Sequence, residues 1–180
     1  MSIIMQAVDS GRPPLVGARI PDVSVFDTEG HTVSLTQLAQ QGLMVFVFYQ
    51  GQWCPWCKAQ ITTYWRYYNE ILGAGLKVAF ISVDTPDVSK DYRDRLEETG
   101  VKLPNKERSN KIPFPFLCDP DRRATQAFGL SRQSRERGTI SKPSVFLVNK
   151  ESVVTYAKVG RDYADRLSHY ELLEAGRTIE

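Results

Sequence analysis

The feature that most limits what this chain can become is a short apolar run, Leu43 to Tyr49. It ends directly in a turn carrying two closely spaced cysteines, Gly51-Gln-Trp-Cys-Pro-Trp-Cys-Lys58. The run is too short to cross a bilayer. It is also too evenly apolar for a strand with one wet face, so it predicts a strand covered on both sides. Covered strands belong to sheets with helices packed on both faces. The next segment supplies such a helix, expected from about Pro55 to Leu72. Cys57, Ile61, Tyr64, Trp65, Tyr68, Ile71 and Leu72 fall on one helical face, and Gly73 and Gly75 follow as a stop.

The same logic organises the rest of the chain. Val23 to Phe26 and Thr32 to Val33 flank the turn signal Glu29-Gly30 and predict a small hairpin. Ser34 with Gln37 resembles a capping box for a short helix ending near Gly42. Leu76 to Val83 reads as a second buried strand. Thr85-Pro86 then caps a helix that stops at Gly100. Val101 to Pro113 reads as a polar loop, Phe114 to Cys118 as a short strand, and about Asp121 to Gly129 as a helix. Ser144 to Val148 and Val153 to Lys158 predict a hairpin, and a last helix runs from about Tyr163 to Ala175. Strands alternating with helices, closed by a hairpin and a helix, give an α/β fold with a mixed central sheet. Reactive groups on such sheets sit beyond the carboxyl ends of the strands, where Cys54 falls.

A length of 180 residues fits one domain, with its core at about residues 15–175. With 23 Lys+Arg against 21 Asp+Glu, the charge balance gives no electrostatic reason for nucleic-acid binding. Basic residues gather at Lys102 to Lys111 and at Arg132 to Arg137. Both stretches are interrupted by acids and read as solvated loops. Met1 to Asp9 lacks the basic start and unbroken apolar stretch of a secretory leader. No membrane partner is expected, and the chain is placed in the cytoplasm. Its 3 cysteines make no secreted disulfide framework. In a reducing compartment a close pair points to redox catalysis or metal binding.

Cys54 is expected at the mouth of the helix, where backbone N–H groups lack partners and the helix dipole is positive. Both favour thiolate over thiol, and the thiolate is the attacking species in disulfide exchange. Pro55 suits the first turn. Cys57, one turn on and facing inward, suits a resolving thiol. The expected division is an exposed nucleophile at Cys54 and a shielded resolver at Cys57. Trp53, Pro55 and Trp56 would shape a substrate-docking surface around the pair. Zinc is the rival, but a structural site needs four ligands. Only Cys118, His31 and His169 stand beside the pair, so no metal or other cofactor is expected. Cys118 reads as a buried packing cysteine, and His31 and His169 as surface residues.

The whole chain, over roughly residues 15 to 170, resembles the thioredoxin-like superfamily in its alkyl hydroperoxide reductase/thiol-specific antioxidant (AhpC/TSA, peroxiredoxin-like) branch. Val16 to Asp22 with Gly30 to Leu35 is similar to that branch's N-terminal extension, and Val47 to Cys57 to its active-site strand and turn. Ile81-Ser-Val-Asp84, Phe116 to Pro120 and Lys142 to Val148 are similar to its later strand ends. The resemblance implies a thioredoxin-like fold with a peroxiredoxin-like extension. It also implies that Pro143 is cis and lies against the active-site pair.

Two activities occur in that branch. Peroxiredoxins carry Pro-x-x-x-Thr/Ser-x-x-Cys and an arginine that helps hold the peroxide. Aligned on Phe48-Tyr49, this chain has Gln50 for the proline, Cys54 for the hydroxyl residue and Cys57 for the peroxidatic cysteine. Pro143 falls where the arginine usually stands. The implied reading is therefore a thiol–disulfide oxidoreductase, with a hydroperoxide-reducing peroxidase, using Cys57 or Cys54 as its peroxidatic cysteine, as the alternative. Its substrate would be a protein or small-molecule disulfide, or a hydroperoxide. Its reductant would be a thiol such as thioredoxin or glutathione. Many thioredoxins bury an Asp where Phe48 stands here, and Asp84 is the substitute this sequence offers. Arg161-Asp162-Tyr163 and Arg166 read as capping and surface ion pairs.

Overall fold

The computed structural model describes residues 11–179. The stretch Met1 to Asp9, expected not to be a secretory leader, lies outside them. The run Leu43 to Tyr49 forms the third strand of a seven-stranded mixed sheet. In chain order the sheet strands are β1 (Ser24–Phe26), β2 (Thr32–Ser34), β3 (Leu43–Phe48), β4 (Leu76–Ser82), β7 (Phe116–Cys118), β10 (Ser144–Val148) and β11 (Val154–Val159). Across the sheet they stand β11-β10-β3-β4-β7-β1-β2. β3, β4 and β7 run parallel, while β10 is antiparallel to both β3 and β11. β3 is central, which explains its unbroken apolar sequence: Val45 to Phe48 are all at 0% exposure.

The helices are α1 (Leu35–Ala39), α2 (Pro55–Arg66), α3 (Tyr68–Gly73), α4 (Pro86–Thr99), α5 (Arg123–Ala127) and α6 (His169–Arg177). The expected caps are present. Ser34 Oγ accepts from Gln37 N, and Thr85 Oγ1 accepts from Val88 N. Ser168 and Glu171 form a full capping box at α6. Two small hairpins lie outside the sheet, β5–β6 (Val101–Lys102, Arg108–Ser109) and β8–β9 (Ser131–Ser134, Gly138–Ser141).

Several expectations are corrected. The helix after the cysteines is not continuous to Leu72. It breaks at Tyr67 (φ −104°, ψ 17°) and restarts as α3. The break turns Leu72 outward to 48% exposure while Ile71 stays buried. The polar stretch Val101 to Pro113 and the basic stretch Arg132 to Arg137 are not plain loops, because each lies within a segment that folds back on itself as a hairpin. The last helix begins at His169 rather than near Tyr163. Residues 160–168 form a turn instead, closed by Asp162, which accepts from Ala164 N and Asp165 N. His169 is not a surface residue. It is 6% exposed and stacks on Tyr67, ring centroids 3.9 Å apart. Burial holds its pKa below the usual imidazole value.

The Lys142–Pro143 bond is trans, since the described residues contain no cis peptide. The expectation of a cis bond fails because the chain passes straight from one ladder into the next. Lys142 N donates to Leu130 O, extending the β8–β9 hairpin, and Ser144 already pairs with Phe48. An extended residue before a trans proline makes that passage without a reversal.

Candidate active site

β3 ends where the site begins. Tyr49 N still donates to Ile81 O, and the chain then turns through Gln50 to Trp53. Gly51 takes φ +147°, and a Cβ there would meet Trp53 Nε1 at 2.6 Å, so only glycine fits the turn. Asp84, at the end of β4, braces it. Its Oδ2 accepts from Gln52 N at 2.9 Å and from Ser82 Oγ at 3.1 Å. Burial pushes the Asp84 carboxyl above the usual range, opposed by these hydrogen bonds and by the charge of Arg137. Asp84 therefore anchors the turn, and no hydrogen bond joins it to either sulfur of the pair.

Cys54 is the N-cap of α2, with Pro55 in the first turn. Its Sγ accepts from Cys57 N at 3.3 Å, so the sulfur satisfies one of the open helix N–H groups. Cys57 Sγ accepts from Gln50 N at 3.4 Å. The guanidinium of Arg166 reaches both thiols: Nη2 lies 3.2 Å from Cys57 Sγ and 3.6 Å from Cys54 Sγ. Nη1 is bound to Gln60 Oε1 at 3.3 Å, and Nε donates to Tyr163 O at 2.8 Å. The arginine is thus held from two sides, by Gln60 and by the Tyr163 carbonyl, with its third nitrogen on the sulfurs.

The two thiols titrate apart. Cys54 is lowered to about 6, first by the hydrogen bond from the Cys57 thiol, then by the Cys57 N–H, the Arg166 charge and the Trp56 N–H; burial opposes them. Cys57 is pushed strongly upward, first by burial and then by its role as donor to Cys54, which keeps its proton in place. One sulfur is set up to attack, and the other to hold a proton.

Burial departs from expectation. Cys54 is only 3% exposed and Cys57 is at 0%, so both are shielded and Cys54 has a narrow opening. Trp56 is exposed at 47% and faces Tyr163, with ring centroids 6.3 Å apart. Pro55 is exposed and Trp53 is half-buried, with the Arg137 guanidinium 4.9 Å from its ring centre. Pro143 is buried, one residue past the Ser144–Phe48 pair and thus beside the end of β3. Its carbonyl accepts from Gly160 N at 2.7 Å. A Cβ at Gly160 would come within 2.8 Å of that oxygen, so the glycine lets the turn carrying Arg166 press against Pro143.

Cys118 lies elsewhere, at 0% exposure on β7, and burial pushes its thiol up to about 11. All three cysteines are free thiols. Among the described residues, no three His, Cys, Asp or Glu side chains gather in a metal-binding set, and no helix is long and apolar enough to cross a membrane. Arg166 is the functional residue that the sequence misled on. Arg161 does pair with Asp165, but Arg166 points inward to the thiols. Although Pro143 stands where an arginine is expected, a guanidinium reaches the thiols from the turn before α6.

A mixed five-element core of β3, β4, β7, β10 and β11 with a Cys-x-x-Cys pair capping the helix after its central strand defines a thioredoxin-fold dithiol protein. The chain belongs to the AhpC/TSA family, which matches residues 16–157. It is 24% identical over 177 residues to "Thiol-disulfide oxidoreductase ResA" of Bacillus subtilis, covering 97% of this chain and 86% of that one. It is also 24% identical over 167 residues to "Peroxiredoxin 2" of Sulfurisphaera tokodaii, covering 93% of this chain and 68% of the other. The crystal structure of peroxidoxin BcpB from Mycobacterium tuberculosis superimposes with a TM-score of 0.74 at 17% identity, covering 93% of this chain and 99% of that one. The fold is the thioredoxin-like fold shared with peroxiredoxins, and the protein is a thiol-dependent oxidoreductase.

Proposed function

We propose that the protein is a thiol–disulfide oxidoreductase in which Cys54 is the nucleophile and Cys57 the resolving thiol. The placement of the two sulfurs carries this reading: Cys54 Sγ caps α2 and accepts from Cys57 N, while Cys57 is fully buried one turn on, and Arg166 reaches both. The Cys54 thiolate attacks one sulfur of a substrate disulfide, and the departing thiolate takes a proton. Cys57 then gives up its proton and attacks Cys54 Sγ; the second substrate sulfur leaves as a thiolate and takes up a proton, and Cys54–Cys57 is left oxidised. Arg166 supports both stages, because its charge stabilises whichever sulfur is the thiolate. Trp53, Pro55 and Trp56 form the rim on which the substrate rests, and Pro143 backs the turn that positions Arg166. The reductant of the oxidised pair is a thiol of the thioredoxin or glutathione kind. A reducing, cytoplasmic setting belongs to the same reading and is supported by the cysteine usage.

A second reading has its own support. The Arg166 guanidinium lies against both sulfurs, so a donor is available to a hydroperoxide after all. In that reading the Cys54 thiolate attacks the terminal oxygen of the hydroperoxide, the O–O bond breaks, and the other oxygen leaves, protonated, as water or an alcohol; Cys57 then condenses with the resulting sulfenic acid, forming Cys54–Cys57 and releasing water. One comparison separates the two. The rates of model-disulfide reduction and of hydrogen peroxide consumption are measured side by side for the wild type and Cys57→Ser. The expected result is a disulfide-reductase rate well above the peroxidase rate, with Cys57→Ser trapped as a mixed disulfide. A peroxide rate constant several orders above that of an ordinary low-pKa thiol would reverse the ranking.

A further inference from the structure

Beside the pair, a cavity of about 310 Å³ opens between the active-site turn and the β8–β9 hairpin. Gln50, Trp53 and Tyr163 form its inner wall, and Arg132, Arg135 and Ile140 are on the hairpin side. The inner wall is also the wall of the thiol site. Gln50 Oε1 lies 3.5 Å from Cys54 Sγ, Trp53 immediately precedes Cys54, and Tyr163 O holds Arg166. The outer wall is basic. Arg132 and Arg135 are exposed, and among the described residues neither has a carboxylate within ion-pair distance. Arg137 is committed elsewhere, over Trp53.

A stable surface usually disperses like charges or pairs them. Here two unpaired guanidiniums instead line a polar recess beside a reactive sulfur, and each is suited to bidentate carboxylate binding. The volume is at the lower end for small-molecule sites, and the 3% exposure of Cys54 favours a slender reactant. We propose that this recess binds the carboxylate of a small anionic thiol, and that such thiols are the preferred reductants of the oxidised Cys54–Cys57 pair. The proposal rests on the disulfide-exchange reading above.

The steps balance. One substrate thiolate attacks Cys54 Sγ, forming a mixed disulfide, and Cys57 leaves as a thiolate beside Arg166 and is protonated. A second substrate thiolate attacks the substrate sulfur of that mixed disulfide, and Cys54 leaves as thiolate. Two small thiols are oxidised to their disulfide, the protein pair is reduced, and the two protons shed by the thiols are those available to Cys57 and Cys54.

The test uses three thiols of similar size and different charge on the oxidised full chain: 3-mercaptopropionate, 2-mercaptoethanol and cysteamine. The loss of the disulfide is followed by stopped-flow tryptophan fluorescence, with rates expressed per thiolate. The expected order is anionic, then neutral, then cationic, with about tenfold between the first two, shrinking as salt is added. In the Arg132→Ser/Arg135→Ser variant, 3-mercaptopropionate should lose most of its advantage while the 2-mercaptoethanol rate is unchanged. Equal rates for the three thiols, or an anion preference that survives in the double variant, would overturn the recess as a carboxylate site. If none of the three reduces the pair, the disulfide-exchange reading itself fails.

Discussion

The two faces of the central sheet are built from the same strands and are unlike in chemistry. Along β3, Val45, Val47 and Tyr49 point into the cluster holding Cys54, Cys57, Tyr64, Trp65 and Tyr92. Met44, Phe46 and Phe48 point into the other, with Leu35, Ile81, Phe128 and Phe146. The first face buries aromatic rings with polar tips, some of them anchored. Tyr64 Oη donates to Leu167 O at 2.8 Å, and Trp65 Nε1 to Ser109 Oγ at 3.0 Å. The second cluster contains no Tyr, Trp or Cys among the described residues. One face thus carries the reactive groups and the hydrogen bonds that orient them, while the other is apolar packing that holds the sheet.

The comparison is sharpest at Cys54. Cys54→Ser is expected to remove disulfide exchange by about 10³-fold or more, since the attacking atom is lost, with little change in thermal unfolding. Retained exchange activity would break the assignment. Next comes the opposite face. Phe146 is at 0% exposure and packs on Phe128 at 5.4 Å. Phe146→Ala should cost about 3–5 kcal/mol in denaturant unfolding, while the activity of the remaining folded protein is preserved. A large loss of activity per folded molecule would show that the faces are not separable.

Arg166→Met is expected to have a smaller effect, about 10- to 100-fold in exchange rate, the worth of a charged hydrogen bond. The pH dependence gives its sign. Wild-type Cys54 alkylation should rise with pH through about 6, because the thiolate is favoured there. Without the guanidinium the midpoint should move upward, whereas an unchanged midpoint would remove Arg166 from the site. The smallest effect belongs to Tyr92, whose buried hydroxyl has no hydrogen-bond partner among the described residues. Tyr92→Phe should leave activity intact and raise stability by about 1 kcal/mol or leave it unchanged. A clear destabilisation would show that the hydroxyl is bonded.

Much of this was legible in the residues. β3 could be read because both faces bury it, which leaves an unbroken apolar signature. The cysteine pair could be read because a helix start imposes local rules on Cys54 and Pro55. The break at Tyr67 escaped because Tyr68 and Ile71 keep an apolar spacing across it. The β8–β9 hairpin escaped because Ser131 to Ser134 is polar and carries no alternation. Arg166 was the costliest miss. It lies 109 residues from Cys57 in the chain, and nothing near it distinguishes an inward guanidinium from a solvated one. A fold-wide turn, closed by Asp162 and pressed on Pro143 through Gly160, makes that difference. The family likeness supplied the fold correctly and the proline isomer wrongly, because the entry into β10 is set by this chain's own hairpin.

The break at Tyr67 separates a 12-residue helix from a 6-residue one, and it also draws a line in cooperativity. Amide protons of α3, which packs beside β4 and α6, should exchange with the slow core. Those in the first turn of α2 are held at its open end, where Cys54 Sγ and O accept from Cys57 N and Lys58 N and the buried Cys57 side chain pins the turn to the core. An opening that starts at that end can run through α2 but stops at Tyr67, where the helical ladder is interrupted, and so leaves α3 in place. Cysteines seated in such a turn can approach each other for bond formation at the cost of a local opening and not of the domain.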